Sequence, residues 1–292
     1  MTGPWVSAHS FFRLLGGALL ILLAWVGLGS FVSLYLMGLW EVTFLTGSAL
    51  LLYLAIHAGF VCFAIAYIAV QLGLNQQPVQ ILFSPAGRPW RMGAFWETLG
   101  IWLGLLLLSS GLEALLYPGS VVFKGLVSDW PLWLLAICLF TPLQVWAEES
   151  FFRVYLPSLF MRLFQSLLGP YSKLGMALTI GLSACCFALV HLQNPELNTP
   201  AAWLVVVYYL LFATFAALLL HWEQGLERVL AWHLGTNLFA FFILSYDLAA
   251  IRTPALFHSS RFDPLWNLVQ FVLLSLLGCG ILYLRKKRES FV

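Results

Sequence analysis

The stretch Glu148-Glu149-Ser150-Phe151-Phe152-Arg153 decides the fold, because it places three ionisable groups inside an otherwise apolar segment. The residues on its N-terminal side, from Leu139 to Ala147, are typical of a membrane span. A charged side chain at the centre of a span costs about 2.5–3.5 kcal/mol even on lenient scales, so such groups are kept where they face a polar cavity and find partners. The stretch therefore predicts an intramembrane functional site.

The composition of the whole chain indicates a membrane protein. Of its 292 residues, 62% are hydrophobic and 9% are charged, and the mean hydropathy is +0.92. Soluble globular chains average about 25% charged residues. The net charge of +2, without a basic patch that interleaves aromatic residues, argues against nucleic acid as a partner. The five cysteines lie in apolar stretches without metal or disulfide spacing, and we interpret them as buried small hydrophobic residues.

The sequence contains eight apolar runs of the length that a membrane span requires, about 20 residues. They cover residues 12–37, 48–72, 95–117, 131–164, 171–192, 201–220, 226–246 and 265–284. The first run is too long for the hydrophobic part of a signal peptide, so we interpret it as a span. The fourth is too long for one straight span, so we expect a tilt, a break at Pro142 or Pro157, or an exit onto the membrane surface.

These runs predict an all-α polytopic membrane protein, in which about eight transmembrane helices surround a polar intramembrane catalytic cavity. We expect a single membrane domain over residues 1–292. Within it, residues 1–130 hold the first spans, residues 131–247 form the core that carries the site, and residues 248–292 add the last span and a basic tail.

The distribution of Lys and Arg predicts the orientation of the chain. Eight spans place both termini on one side, where ten basic residues fall when Arg153 is left out, against Lys124, Arg252 and Arg261 on the other side. Cytoplasmic loops carry the excess of Lys and Arg, so both termini are expected in the cytoplasm. In a prokaryote the membrane concerned would be the plasma membrane.

The two adjacent glutamates have different expected roles. Glu149 and Arg153 stand four residues apart, which places them on one face of a helix and predicts an intramembrane ion pair. Glu148 is rotated by about 100° around the helix and can point elsewhere. One carboxylate can thus be structural, while the other is available as a general base in a low-dielectric site.

Three polar residues in later spans are the candidate partners of this pair. His191 ends the fifth run, and His233 and Asn237 stand four residues apart in the seventh. A single histidine in a span is more often a packing residue than a catalyst, but the combination favours function modestly. Donors aimed at one point opposite a carboxylate and an imidazole are the parts needed for water attack on an amide. The other histidines are interpreted as terminal, packing or interfacial residues: His9, His57, His221 and His258.

Three motifs together carry a family resemblance: Glu148-Glu149-x-x-x-Arg153, Phe187-x-x-x-His191 and His233-x-x-x-Asn237. In order, spacing and placement they resemble the motifs of the CPBP intramembrane proteases. That family is also called Abi or CAAX-protease-like, and it includes the type II CAAX prenyl endopeptidase. The resemblance covers about residues 131–241. It implies a polar cavity between helices that is open toward the cytoplasm.

The resemblance also implies a role for each site residue. Glu148 would activate a water molecule with help from His191. His233 and Asn237 would stabilise the oxyanion, and Glu149 and Arg153 would organise the site. The expected function is that of a hydrolase, an intramembrane endopeptidase that cleaves a membrane-associated or lipidated peptide or protein, prenylated in some members.

No cofactor is expected, because the sequence contains no H-E-x-x-H motif. Two histidines and a glutamate could still assemble a zinc site in space, which leaves a metal-dependent hydrolase as one alternative. A second alternative is a non-catalytic scaffold, immunity protein or transporter that retains the site. The expected partners are the lipid bilayer and a substrate that arrives from the bilayer or from the cytoplasmic face.

A simple zigzag of spans would separate two of the candidate residues. It places His233 near the cytoplasmic end of its span and His191 near the far end of its own. They can meet at one cavity only if the helix that carries His191 tilts, stops short or has other boundaries. Broken helices are tolerated where they line a cavity, and we expect one here.

Overall fold

The computed structural model describes residues 9–43, 46–85, 87–169 and 172–289. In these ranges the chain forms eight helices of at least 12 residues. Their bounds are α1 Phe11–Leu39, α2 Ala49–Leu74, α3 Met92–Leu116, α4 Trp130–Leu168, α5 Lys173–Val190, α6 Ala202–Glu223, α7 Glu227–Leu238 and α8 Pro264–Glu289. Seven of these helices are long and apolar enough to cross a membrane. The prediction of an all-α, multi-pass integral membrane protein is confirmed.

Helix α7 stands where the sequence predicts the seventh span, over residues 226–246, and it differs from that prediction. It has 12 residues, continues as a π-helix over Phe239–Ile243 and then becomes a strand. It packs against α3, α4 and α6, and most of its side chains are buried. Because protein surrounds it, α7 can be short, polar and irregular without exposing backbone groups to lipid.

Helix α4 is continuous over 39 residues, so the predicted break at Pro142 or Pro157 is absent. Instead, the helix widens to a π-helical turn over Ser150–Tyr155, directly after Glu149. Such turns leave a carbonyl without its usual helical donor, and the hydroxyl of Ser183 on α5 donates to the carbonyl of Phe152. At about 1.5 Å per residue α4 is far longer than a membrane is thick, so it extends past one membrane face or runs tilted.

Helix α5 runs back along the last part of α4. Gly175, near its start, lies against Phe164, and the ring of Phe187, near its end, lies 5.4 Å from that of Phe152. After 18 residues α5 ends at Val190, still beside the Glu-Glu motif. The helix that carries His191 therefore stops short, which was one of the conditions for His191 and His233 to meet.

A small sheet lies at one end of the helix bundle. Its strands are β1 Val121–Phe123, β2 Leu244–Tyr246 and β3 Phe257–Ser259, in the order β1-β3-β2. β1 pairs antiparallel with β3, with Val121 opposite Ser259, and β2 pairs parallel with β3, with Leu244 opposite Phe257. We call this the sheet end; here α3 and α7 finish and α4 and α8 begin.

A network of ion pairs closes the opposite end, which we call the basic end. Arg91, just before α3, pairs with Glu223 at 3.0 Å and with Glu227 at 3.2 Å. Arg228 pairs with Glu97 at 2.8 Å and with Glu223 at 3.4 Å. The end of α8 joins the network through Arg285 to Glu97 and Lys286 to Glu223. The network ties the starts of α3 and α7 to the ends of α6 and α8.

The main core surrounds the middle of α4. Phe151, Phe152 and Tyr155 are almost completely buried there, and the ring of Phe151 meets that of Phe63 on α2 at 5.5 Å. The five cysteines are all unpaired, and the interpretation of them as buried residues is wrong. Cys138 and Cys185 are exposed, because they lie on the outer faces of α4 and α5 where the structure has no covering helix.

Helices α1 and α2 approach closely at two glycines. A methyl group on Gly29 would lie 2.9 Å from the carbonyl oxygen of Gly59, whereas a methyl group on Gly27 would meet nothing within 4 Å. We expect Gly29→Ala to lower the melting temperature of the detergent-purified protein, because overpacking costs about 1–3 kcal/mol. Gly27→Ala is the matched control and should melt no lower than the parent. Equal melting temperatures for the two variants would contradict the close crossing.

Candidate active site

The six residues predicted for the site converge on one region of the bundle. A cavity of about 630 Å³ lies inside the bundle, and each of the helices α1 to α8 contributes to its lining. Four of the six residues line it: Glu148, His191, His233 and Asn237. Glu149 and Arg153 lie behind the cavity wall and are completely buried. The structure thus separates a cavity-facing set from a supporting pair.

The supporting pair is a buried ion pair with a third member. Nε of Arg153 lies 2.9 Å from Oε2 of Glu149, and Nη2 donates to Oε1 at 3.4 Å. Nδ1 of His233 lies 2.7 Å from the same Oε1 and must be the donor, because a carboxylate oxygen accepts. The guanidinium also lies over the ring of Phe187, 4.3 Å from its centroid. Glu149 thereby fixes the orientation of the His233 ring. Because Nδ1 is engaged, Nε2 is the nitrogen that remains for other partners.

Glu148 differs from Glu149 in facing the cavity. Its Oε1 accepts a hydrogen bond from Nε2 of Gln144 at 3.2 Å. Its Oε2 lies 3.7 Å from Nε2 of His233, which is too long for a direct hydrogen bond. A carboxylate with one anchored oxygen and one oxygen toward a polar cavity is suited to accept a proton from water.

Two further residues support Glu148, and the sequence analysis did not assign them to the site. Gln144 stands four residues before Glu148 on the same face of α4, a spacing that could have identified it. His57, interpreted from the sequence as a packing residue, is fully buried on α2, and its Nε2 lies 3.0 Å from Oε1 of Gln144. No sequence signal could have found this contact, because 87 residues separate the partners.

The hydrogen bonds of His57 restrict where protons can reside. Its Nδ1 lies 2.8 Å from the carbonyl oxygen of Tyr53, so Nδ1 must donate. With the amide oxygen of Gln144 facing the ring, Nε2 donates to that oxygen only when His57 carries both protons. If the amide of Gln144 is turned over, His57 is neutral and Glu148 must carry a proton to donate to Oε1. Either arrangement holds one proton more than neutral His57 with ionised Glu148.

The buried charges lead to a similar requirement. Arg153 and Glu149 compensate each other, so an ionised Glu148 is the excess charge of the cluster. A buried charge without compensation is expensive, and one additional proton on Glu148, His57 or His233 makes the group neutral. The net charge of the group therefore depends on one proton that Glu148, His57 or His233 can carry.

His191 and Asn237 complete the cavity-facing set. Nδ1 of His191 donates to the carbonyl oxygen of Phe187 at 2.7 Å, which leaves Nε2 as the acceptor nitrogen. The imidazole ring packs between the rings of Phe187, at 4.3 Å, and Tyr209, at 4.6 Å. Asn237 lies one helical turn beyond His233 on α7 and lines the same cavity. A reacting carbonyl in the cavity would therefore meet groups from α4, α5 and α7.

The arrangement does not favour a metal centre. Across residues 9–43, 46–85, 87–169 and 172–289, no group of three or more His, Cys, Asp or Glu side chains is placed to hold a metal ion. Glu149 is held by Arg153 and His233, so it is not available as a ligand. The alternative of a metal-dependent hydrolase gains no support from these side chains.

The cavity extends from the site toward the sheet end. On α3 its wall runs from Trp102 through Leu106 and Ser110 to Glu113, one turn from the end of the helix. Exposed Gln193 and half-buried Arg261 also line it, so it reaches the surface there. The N-terminal end of α1 and the C-terminal end of α8 both lie at the basic end. The chain therefore cannot have both cytoplasmic termini and a cavity that opens to the cytoplasm.

Two carboxylates outside the three motifs lie along this path. Glu113 is buried and accepts a hydrogen bond from Nε1 of Trp266 at 3.2 Å. Glu196, in the loop after α5, accepts from the hydroxyl of Tyr246 at 3.2 Å and from the amide of Ala250 at 3.1 Å. Burial raises the pKa of the Glu196 carboxyl above its usual value. Both carboxylates belong to the outer part of the cavity rather than to the motif cluster.

Comparison with known families agrees with this site. Residues 127–239 match the family described as type II CAAX prenyl endopeptidase Rce1-like, and this segment contains all six site residues. The resemblance drawn from the three motifs is confirmed over that segment.

The chain also resembles a protein of Bacillus subtilis (strain 168) that carries the name uncharacterized protein YyaK. The two are 29% identical over 182 residues, which cover 61% of this chain and 58% of the relative. The alignment thus spans a little over half of the relative's length, and the relative's name assigns no activity. No solved structure matches the chain.

The supporting pair makes Arg153 a strong determinant of stability. We expect Arg153→Met to lower the free energy of unfolding by about 3–5 kcal/mol, because it leaves Glu149 buried without its cation. Arg162→Met removes an exposed arginine from the same helix and is the matched control. Thermal unfolding in detergent measures both variants. Adding Glu149→Gln to Arg153→Met should recover part of the loss, and additive losses would contradict the coupling.

Proposed function

Starting from a core segment that matches the type II CAAX prenyl endopeptidase family, we propose that this protein is an intramembrane endopeptidase. It hydrolyses a peptide bond of a membrane-associated peptide or protein with water that Glu148 activates. The observation that carries the proposal is the cavity in which Glu148, His191, His233 and Asn237 face one space. Supporting it, the family match covers all four of these residues.

Glu148 is the general base in this proposal. A water molecule between Glu148 and the substrate carbonyl gives a proton to the carboxylate and attacks the carbonyl carbon. His191 assists by accepting a hydrogen bond from the same water through Nε2, because its Nδ1 donates to Phe187. Glu148 then passes the proton to the amine nitrogen as the C–N bond breaks, which restores the carboxylate.

His233 and Asn237 stabilise the oxyanion that forms during the attack. The amide of Asn237 offers N–H donors in any protonation state of the site. Nε2 of His233 donates when the ring carries both protons, and Nδ1, 2.7 Å from the Glu149 carboxylate, holds the ring in place. Donors that are fixed before the reaction stabilise developing charge without reorganisation, which is the usual basis of oxyanion stabilisation.

Glu149, Arg153 and Gln144 position these groups rather than touch the substrate. Glu149 and Arg153 hold His233 in one orientation, and Gln144 holds one oxygen of Glu148. The mechanism uses no metal. For the orientation in the membrane, we adopt the Lys and Arg bias, which places the basic end and both termini in the cytoplasm.

Replacement of the base provides the direct test. Purified protein in lipid vesicles is assayed with quenched peptides that carry either a farnesylated C-terminus or a transmembrane anchor. We expect Glu148→Gln to lower turnover by about 10²–10⁴-fold, the usual contribution of a general base. Glu113→Gln, a carboxylate in the outer part of the same cavity, should retain most of the activity.

Three results would contradict the proposal. Equal losses in the Glu148 and Glu113 variants would show that the assay reports stability or cavity charge rather than a base. Loss of turnover on treatment of the parent protein with a chelator, reversed by added zinc, would favour the metal-dependent alternative. No cleavage of any anchored peptide would favour a scaffold that retains the site.

A further inference from the structure

We propose that the cavity receives its substrate from the non-cytoplasmic side of the membrane. That the cavity receives a substrate rests on the proposed function, whereas the face of the membrane to which the cavity opens is argued from the structure alone. The substrate is a peptide segment on the outer side of the membrane, which belongs to a secreted or membrane-anchored polypeptide. Prenylated tails, which are made in the cytoplasm, do not belong to this class.

The first observation is the path from the site to the sheet end. The α3 wall of the cavity extends over 11 residue steps, from Trp102, which donates to Thr236 beside the site, to Glu113. At about 1.5 Å per residue this is a path of roughly 16 Å. The same path is lined on α8 by Phe271, Gln270 and Asn267. It ends between β2 and the loop that carries Arg261, where the cavity reaches the surface.

The second observation is the closure of the other end. From His233 to the basic end, α7 and the residue before it present Leu230, Val229 and Leu226, all of them buried in the core. Below these lies the ion-pair network, in which Glu223 and Glu227 are almost completely buried. None of these residues lines the cavity. Among the described residues, this side of α7 and the ion-pair network therefore leave no route from the basic end to Glu148.

The third observation is the charge of the two ends. In the described structure the basic end holds Arg13, Arg88, Arg91, Arg162, Lys173, Arg228, Arg285, Lys286 and Lys287, while the sheet end holds Lys124, Arg252 and Arg261. Arg261 is partly compensated by Asp263 at 2.9 Å. An excess of Lys and Arg marks the cytoplasmic end of a membrane protein. The closed end is thus cytoplasmic and the open end is not.

Cysteine accessibility tests the inference without requiring turnover. The five native cysteines are replaced by alanine in the full chain, and single cysteines are introduced by Ser110→Cys and Asn267→Cys in the cavity wall. Ser260→Cys reports the sheet end, and Ser166→Cys, near the end of α4, reports the basic end; both positions are exposed. Ala231→Cys, fully buried between the site and the basic end, is the closed-path control.

The readout is labelling by a membrane-impermeant maleimide in sealed vesicles of both orientations. We expect Ser110→Cys and Asn267→Cys to label in the vesicles that label Ser260→Cys, and not in those that label Ser166→Cys. Ala231→Cys should label in neither. With Ser260→Cys accessible from outside intact cells, this pattern supports the inference.

Three results would overturn the inference. The cavity cysteines could label only with Ser166→Cys, they could label from neither side, or Ser260→Cys could prove cytoplasmic. Two cavity positions are used so that one misfolded variant does not decide the result. A quenched peptide that is cleaved by neither vesicle orientation, with the labelling pattern as expected, would count against the protease function alone.

Discussion

The buried contact between Arg153 and Glu149 is the interaction on which the rest of the site depends. Neither charge could stay in the bundle without the other, because removing an ion from water is expensive. The pair contacts one side chain from each of two neighbouring helices. His233 from α7 binds the carboxylate, and Phe187 from α5 lies under the guanidinium. Three helices are thereby held at one point, and Glu148 is carried to the cavity wall by the same turn of helix.

The sequence predicted those parts of the structure that follow from apolar length and helical spacing. Seven membrane-spanning helices lie where apolar runs predicted them, and the contact of Glu149 with Arg153 follows from their separation of four residues. The convergence of His191 and His233 was expected from their polar side chains in apolar runs and from the motif resemblance. The stop of α5 at Val190 is one of the conditions under which they can meet, and the sequence could not choose between a tilted helix, a short helix and other boundaries.

Other features depend on packing between distant segments and left no local pattern. The contact of His57 with Gln144 joins two helices, and the π-helical turn after Glu149 replaces the proline break that the sequence suggested. The two predictions of cytoplasmic termini and of a cavity open to the cytoplasm do not hold together, because the cavity runs away from the end where the termini lie. Motif resemblance says nothing about which end of a bundle the ion pairs close. The sequence predicts a full span where the short α7 stands, because hydropathy does not distinguish burial in protein from burial in lipid.

A cavity that is closed at one end limits how a peptide can enter and leave it. Under the proposed function, the passage that admits a substrate would also have to release both fragments, since the ion pairs of Arg91 and Arg228 close the other end. The two fragments cannot diffuse apart in opposite directions, so one retained fragment blocks the next cycle. An endopeptidase of the kind proposed would be prone to inhibition by its own products, and its turnover would be governed by how fast the larger fragment leaves the passage.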